Sequence, residues 1–179
     1  IPGLGRIQRL EWSLLLREFK REINRYLDST PQEVASRTLA EVMAFNRTNA
    51  EKVMPHFAQE IFELSEQTSA SDQPNLDTLA RQLKRLAGPE GIDALLQQAN
   101  CEILVAPTFG RPWKIDLENG DNFEGSSCTT LPAVSGYPHL TVPMGLADGL
   151  PLGLSFIGTA FSESTLLAAG FAFEQARID

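Results

Sequence analysis

The chain has 179 residues, of which 42% are hydrophobic and 21% are charged, and its formal net charge is -8 at pH 7. These proportions are typical of a soluble globular protein and argue against intrinsic disorder. The acidic balance argues against a surface that binds nucleic-acid phosphates. The length suffices for one core, so we expect a single unit over 1–179, mainly helical over 1–100, with a strand–loop–strand–strand–helix segment over 101–179.

The sequence indicates neither a membrane-spanning helix nor a disulfide framework. No apolar run reaches the roughly 20 residues of a membrane-spanning helix, and we find no signal peptide. Cys101 and Cys128 lack the spacing of a zinc site or a disulfide framework, so we expect buried free thiols and a cytoplasmic protein. Because the chain begins at Ile1 rather than Met, we expect it to be a piece of a longer protein.

Helical periodicity dominates the first hundred residues. An amphipathic helix of about five turns is predicted from Leu10, with Trp12, Phe19 and Tyr26 on one side, packed against the fold. Thr38 followed by Glu41 predicts a capping box that starts a second helix. Further helices are predicted over Phe57–Leu64, over Leu76–Leu86 ended by Gly88-Pro89, over Ile92–Gln98, and from Ser162 to about Ala176.

Three short apolar runs predict strands that are buried on both faces of a sheet: Ile103–Ala106, Leu140–Val142 and Leu152–Ile157. The connecting segments contain so many glycines and prolines that we expect loops there and no helix. A sheet of only three strands leaves backbone N–H and C=O groups without partners along both of its edges. We therefore expect either sequence outside this chain to complete the sheet or self-association through its edges.

The polar motifs of these loops do not predict a catalytic or metal site. Gly125-Ser126-Ser127 lacks an evident base, so loop or cap hydroxyls are the better interpretation. His56 and His139 have no acid and nucleophile at a recognisable spacing. Four carboxylates in one loop do not match a calcium loop, and we expect turn-forming, solvent-facing side chains there: Asp116, Glu118, Asp121 and Glu124.

Lys114 lies between Trp113 and Ile115, and nothing in the sequence indicates that it is buried. No phosphate loop or dinucleotide fingerprint occurs, so no nucleotide cofactor is expected.

A series of short motifs, in order along nearly the whole chain, resembles the C-terminal part of an amidase signature enzyme. The motifs are Phe45-Asn46, Met54-Pro55, Gly91-Ile92-Asp93-Ala94, Val105-Ala106-Pro107-Thr108, Ile115-Asp116 with Asn119-Gly120-Asp121, Ala133-Val134-Ser135-Gly136-Tyr137-Pro138, Thr141-Val142-Pro143, Gly149-Leu150-Pro151-Leu152-Gly153-Leu154-Ser155-Phe156 and Phe171-Ala172-Phe173-Glu174-Gln175-Ala176.

The resemblance implies an α/β fold, the C-terminal part of an α/β/α sandwich with a mixed sheet whose N-terminal half is absent. It also implies hydrolysis of small-molecule carboxylic amides without metal or cofactor, by a Ser nucleophile, a bridging Ser with a cis peptide bond and a Lys base. All three residues belong to an N-terminal half that this chain lacks. No catalytic residue is therefore assigned, and we expect the chain alone to be inactive.

The same resemblance suggests that Trp113 and Phe123, in the 108–130 loop, help to bind substrate. A non-catalytic interaction module that associates through an exposed sheet edge is the alternative from a different class of protein.

Overall fold

The computed structural model describes residues 3–69, 73–123 and 125–177, apart from the side chains of residues 73 and 74. The chain forms two compact units. One contains Arg9–Ala80, and the other contains Ile1–Gln8 with Arg81–Asp179. Within the described residues, no helix combines the length and apolar character that crossing a membrane requires.

The unit of Arg9–Ala80 is helical. Helix α1 begins at Leu4 rather than at the predicted Leu10, and it is followed by three shorter helices: α1 Leu4–Ser29, α2 Leu39–Thr48, α3 Ala50–Val53 and α4 Glu60–Glu66. The Phe19 ring stacks on Phe62 with 5.5 Å between the ring centroids. Trp12 and Tyr26 are 46% and 65% exposed, so the prediction that all three aromatic residues pack against the fold is wrong for these two.

The predicted start of α2 is confirmed. The Thr38 side chain accepts a hydrogen bond from the Glu41 backbone N–H at 3.2 Å, and the Glu41 carboxylate accepts the Thr38 backbone N–H at 3.2 Å. Two backbone donors that helix geometry leaves without partners are thereby satisfied.

The α-helix ends at Ala87, as Gly88-Pro89 predicts, but the helical path continues beyond it. Helix α5, Gln73–Ala87, continues as a π-helical segment over Gly88–Asp93 and then as α6, Ala94–Ala99. Proline removes one backbone donor and crowds the preceding turn. The wider π-helical turn accommodates this disruption without ending the helical path.

A short helix, α7, occupies Thr130–Ser135, where only loop was expected. Pro132 lies in its first turn, where a missing N–H costs nothing. Gly136 follows its last residue with φ 77°, the left-handed conformation in which glycine commonly terminates helices. The glycine and proline that suggested a loop are therefore at the two positions where a helix tolerates or favours them.

The three predicted strands exist and form one antiparallel sheet in the order β1-β3-β2, with β1 Leu104–Pro107, β2 His139–Ala147 and β3 Leu150–Ile157. The second and third strands pass through Pro143 and Pro151, where the prolines predict strand ends. The register of the β2–β3 pair shifts between Pro143 and Gly145. An edge strand with a bulge can contain proline, since one row of its backbone donors has no strand partner.

The prediction of strands buried on both faces is wrong except at the end of β3. Val105 in β1 is 55% exposed, whereas Ser155, Phe156 and Ile157 in β3 are all buried. Strand β3 is hydrogen-bonded to a strand on each side, whereas β1 and β2 are each hydrogen-bonded to β3 alone among the described strands. The sheet therefore presents one apolar face to a helix and open edges within the described residues.

Helix α8, Glu163–Ala176, packs on that apolar face. Val142, Phe156 and Leu166 form the buried cluster, and the Phe173 ring meets Phe156 edge-on with 6.0 Å between centroids. Ser162 precedes the helix as predicted, but its hydroxyl donates to the Thr159 carbonyl instead of capping the helix.

Both cysteines are free, as expected. Cys128 is partly buried, whereas Cys101 is exposed, so the prediction of a buried thiol is wrong for Cys101.

Candidate functional site

The loop between β1 and α7 is held closed where it leaves the sheet. The Thr108 backbone N–H donates to the Gly153 carbonyl at 2.8 Å, and the Cys128 N–H donates to the Thr108 carbonyl at 3.3 Å. The Cys128 thiol lies 3.6 Å from the same carbonyl oxygen. One end of the loop is thus fixed on the central strand through Thr108, and the other end is fixed on Thr108 through Cys128.

Three aromatic side chains gather on this loop and are called the aromatic cluster: Phe109, Trp113 and Phe123. The Phe109 and Phe123 ring centroids lie 4.6 Å apart, and Trp113 lies 6.2 Å from Phe109 and 5.6 Å from Phe123. These separations lie within the usual range for interacting aromatic pairs. The three residues are 41%, 37% and 45% exposed, so the cluster is packed within itself and open on one side.

Carboxylates of the same loop fix its backbone and its tryptophan. The Trp113 indole N–H donates to the Asp121 carboxylate at 2.9 Å. Asp116 accepts the backbone N–H groups of Glu118 and Asn119 at 2.9 Å each, and the Asn119 side chain at 3.0 Å. These hydrogen bonds, led by that from the Asn119 side chain, lower the pKa of the Asp116 carboxyl. The predicted role of Asp116 in a turn is confirmed.

A shallow cleft of about 230 Å³ separates the loop from the β2–β3 hairpin. Trp113 is part of the lining of this cleft. The Arg111 guanidinium of the loop donates a hydrogen bond to the Asp148 carboxylate of the hairpin at 3.1 Å. The geometry thus brings both predicted substrate-binding residues into one aromatic cluster and places Trp113 at the wall of a cleft.

A second polar group lies on the sheet itself. The His139 Nε2 and Ser155 Oγ atoms are 2.6 Å apart, and the Ser155 hydroxyl also lies 2.8 Å from that of Thr108 and 3.4 Å from that of Thr141. Burial lowers the pKa of the His139 imidazole. Ser155 has no exposed surface, so its hydroxyl cannot meet a substrate in the structure described, and it acts as the buried centre of a hydrogen-bond network whose other members are partly buried or exposed.

Sequence reasoning missed that network because its members are far apart in the chain. Thr141 pairs directly with Ser155 across the β2–β3 ladder, and His139 lies two residues earlier on the same face. Only knowledge of the strand register could have brought the three residues together.

Tyr137 ties α7 to the π-helical segment. Its hydroxyl donates to one Asp93 oxygen at 2.8 Å, while the Thr159 hydroxyl donates to the other at 2.7 Å. Burial, the hydrogen bond and the negative charge of Asp93 together raise the pKa of Tyr137 to about 12.

The remaining candidates do not form a reactive site. The Ser127 hydroxyl lies 2.7 Å from that of Thr129 and accepts the Thr129 backbone N–H, so its predicted loop role is confirmed. Lys114 is exposed, and Glu124 lies outside the described residues. Among the residues with described structure, no group of three or more His, Cys, Asp or Glu side chains is placed to hold a metal ion.

Comparison with known proteins shows that this chain is similar to amidases. The family model described as Amidase matches residues 2–167. A protein named as a probable amidase of Arabidopsis thaliana is 32% identical over 166 residues, which cover 92% of this chain and 28% of that protein. One subunit of the glutamyl-tRNA(Gln) amidotransferase of Lactiplantibacillus plantarum is 45% identical over 73 residues, covering 40% of this chain and 15% of that protein.

Solved structures extend the match to the fold. The native peptide amidase of Stenotrophomonas maltophilia has a TM-score of 0.84 and 39% identity, covering 98% of this chain and 34% of that one. A peptide amidase in complex with the competitive inhibitor chymostatin has a TM-score of 0.88 and 42% identity, covering 98% and 35%. The chain therefore spans about a third of the length of these enzymes, and the predicted α/β amidase fold is confirmed. This chain belongs to the amidase family, the amidase signature enzymes.

Proposed function

We propose that this chain is the C-terminal region of an amidase signature hydrolase that cleaves the carboxylic C–N bond of peptide amides. The observation that carries the proposal is the likeness to peptide amidase, which extends over 98% of this chain at 39% identity. Likeness of both sequence and fold over that length supports a shared reaction class, whereas fold alone would not.

The nucleophile and base of this reaction lie in the part of the enzyme that precedes this chain. Acyl transfer needs an activated nucleophile that a substrate can reach. Ser155 is buried beside His139, and Ser127 contacts only Thr129 among the polar groups described for it. The family's Ser–cis-Ser–Lys arrangement supplies both functions upstream, so this chain alone has no amidase activity.

The contribution of this region is one wall of the substrate pocket. Trp113 and Phe123 present apolar ring surface on a loop that is anchored to the central strand. Such surface binds the hydrophobic part of a small ligand, while polar groups elsewhere orient it. We place the enzyme in the cytoplasm on the basis of its two free cysteines.

Release of ammonia from a panel of peptide amides tests the reaction, with the full-length enzyme and this chain assayed side by side at equal concentration. We expect turnover by the full-length enzyme only. Turnover by the isolated chain would contradict the upstream nucleophile, and Ser126→Ala and Ser127→Ala would then identify the serine used. No turnover of any amide by the full-length enzyme would refute the proposed reaction.

Alanine substitution tests the pocket. Trp113→Ala and Phe123→Ala in the full-length enzyme should each lower kcat/KM for hydrophobic amides by roughly tenfold, because each removes apolar contact area from the bound substrate. Leu117→Ala, in the same loop and 47% exposed, is the matched control. Unchanged selectivity among amides in both aromatic variants would remove these residues from the substrate site.

A non-catalytic interaction module is the second candidate. It is favoured by the exposed apolar residues of the outer strands, Val105 at 55% and Leu146 at 72%. Both outer strands also have an edge without a strand partner in the described sheet, where a further strand can pair. The ammonia assay separates the two candidates, since a binding module releases none in any form.

A further inference from the structure

We infer that Asp121 is a positioning residue that selects substrates with an aromatic side chain, by fixing the indole of Trp113 as a stacking surface. This inference rests on the proposed function, and it adds to it a substrate class and a positioning residue. The hydrogen bond from Trp113 Nε1 to Asp121 Oδ1, at 2.9 Å, is its starting point.

That hydrogen bond determines what the indole can offer a ligand. Indole has a single polar atom, and it is a donor only. Because Asp121 already accepts this proton, the exposed third of Trp113 is apolar ring surface. A ligand that meets this residue therefore meets a flat π-face and no free donor.

The neighbouring rings reinforce the same selectivity. Phe109 lies nearly parallel to Trp113, with 29° between the ring planes, and Phe123 meets it almost at right angles, at 78°. Two rings thus hold the indole from different directions, and the carboxylate fixes its rotation in its plane. An indole held at three points loses little conformational entropy when a ligand stacks on it.

The charge arrangement around the cleft disfavours the competing ligand classes. Arg111, the cationic side chain lining the cleft, is paired with Asp148 at 3.1 Å, and Asp121 is engaged by the indole. The positive charge of Arg111 and the negative charge of Asp148 thus partly compensate each other, and Asp121 Oδ1 is occupied by the indole proton. An uncharged aromatic group can stack on Trp113 with both interactions intact.

The test compares Asp121→Ala with Asp121→Asn in the full-length enzyme. The asparagine keeps an oxygen that accepts the indole proton, and the alanine does not. We expect Asp121→Ala to raise KM for phenylalanine amides by about 3- to 10-fold relative to glycine amides, the range of a lost aromatic contact. Asp121→Asn should restore most of this selectivity. Glu118→Ala, an exposed carboxylate of the same loop, is the control.

Two results would overturn the inference. One is an unchanged preference between phenylalanine and glycine amides in Asp121→Ala. The other is an equal loss for both substrates, carried by kcat, which would indicate a role in folding or chemistry instead of selectivity.

A fluorescence measurement keeps the inference testable if the enzyme hydrolyses no amide. In the full-length enzyme, the difference in emission between the wild type and Trp113→Phe reports on the Trp113 indole. Titration with N-acetylphenylalanine amide should change this difference emission, and Asp121→Ala should weaken the apparent binding. No change on titration would overturn the aromatic site, whereas the absence of turnover alone refutes only the proposed reaction.

Discussion

At the scale of single residues, the buried contact between His139 and Ser155 makes stability depend on pH. Burial lowers the pKa of His139 in the folded chain, whereas an unfolded histidine titrates near its ordinary value of about 6.5. Above that value both states are neutral, and the lowered pKa costs nothing. As the pH falls below it, the unfolded chain binds the proton first, so the free energy of unfolding decreases until the folded pKa is passed.

Guanidinium unfolding of wild type and His139→Gln, at pH values above and below about 6.5, measures this effect. We expect the wild type to lose more stability on acidification than the variant does. The carboxylates titrate in both proteins, so the difference isolates the histidine. An identical loss in the two proteins would show that His139 is not the group responsible.

Tyr137 should make the free energy of unfolding decrease as the pH rises, the opposite direction to the effect of His139. Its pKa is raised to about 12 in the folded chain, above the ordinary value of about 10 for tyrosine. The contribution of Tyr137 to the free energy of unfolding should be complete below about pH 10, and it should be lost as the pH rises toward the folded pKa. Tyr137→Phe should lack this alkaline loss, as measured by unfolding across that range. A loss that is equal in Tyr137→Phe would contradict the assignment.

At the scale of elements, the start of α2 depends on one side chain. Thr38→Ala removes the hydroxyl that accepts the Glu41 backbone N–H, and we expect a loss of about 1 kcal/mol in the free energy of unfolding. Thr38→Ser keeps the acceptor and should stay close to wild type. If serine and alanine destabilised the chain equally, the lost methyl group rather than the cap would be the cause.

The packing of α8 on the sheet depends on the absence of a side chain at Gly170. A Cβ atom there would lie 2.5 Å from Leu140 Cδ2 and 3.3 Å from Val142 Cγ1. Alanine favours helix by about 1 kcal/mol over glycine, yet overpacking of this kind costs about 1–3 kcal/mol. We expect Gly170→Ala to be net destabilising in guanidinium unfolding.

A double-mutant cycle identifies the cause of that loss. Leu140→Ala removes the methyl group that the new Cβ would meet, so Gly170→Ala should cost less in that background than in the wild type. Additive effects of the two substitutions would mean that the close contact with Leu140 is not what excludes a side chain at residue 170.

At the scale of the whole molecule, the open sheet edges lead us to expect self-association of the isolated chain. Among the described strands, β1 and β2 each pair only with β3, and their exposed residues include Val105 and Leu146. Unpaired strands with apolar side chains recruit further strands, and lysine on an edge strand prevents this. Sedimentation velocity should show a concentration-dependent oligomer for wild type and less of it for Val105→Lys with Leu146→Lys.

Leu117→Lys provides the matched control, because it introduces the same charge on an exposed loop residue away from the strands. It should associate as the wild type does. A wild-type chain that stays monomeric at all concentrations would contradict the expectation, and equal suppression by the loop variant would indicate a nonspecific effect of charge.

The sequence by itself determined the elements whose signals are local. The capping box of α2, the three strand segments and the C-terminal helix were predicted from neighbouring residues, because caps and short apolar runs act over a few positions. The order of motifs also identified the family, and it brought Trp113 and Phe123 forward as residues of one loop. What the sequence could not settle was their environment, including the hydrogen bond between Trp113 and Asp121.

Only the tertiary structure decided the features that depend on distant partners. The helical path runs through Gly88-Pro89 because a π-helical turn accommodates the proline, and β2 passes Pro143 because it lies at an edge of the described sheet. Strand register brought His139, Thr141 and Ser155 together, and burial lowered the pKa of the histidine. Local propensity favours an element, but burial and pairing depend on what folds against it, and that information is spread over the whole chain.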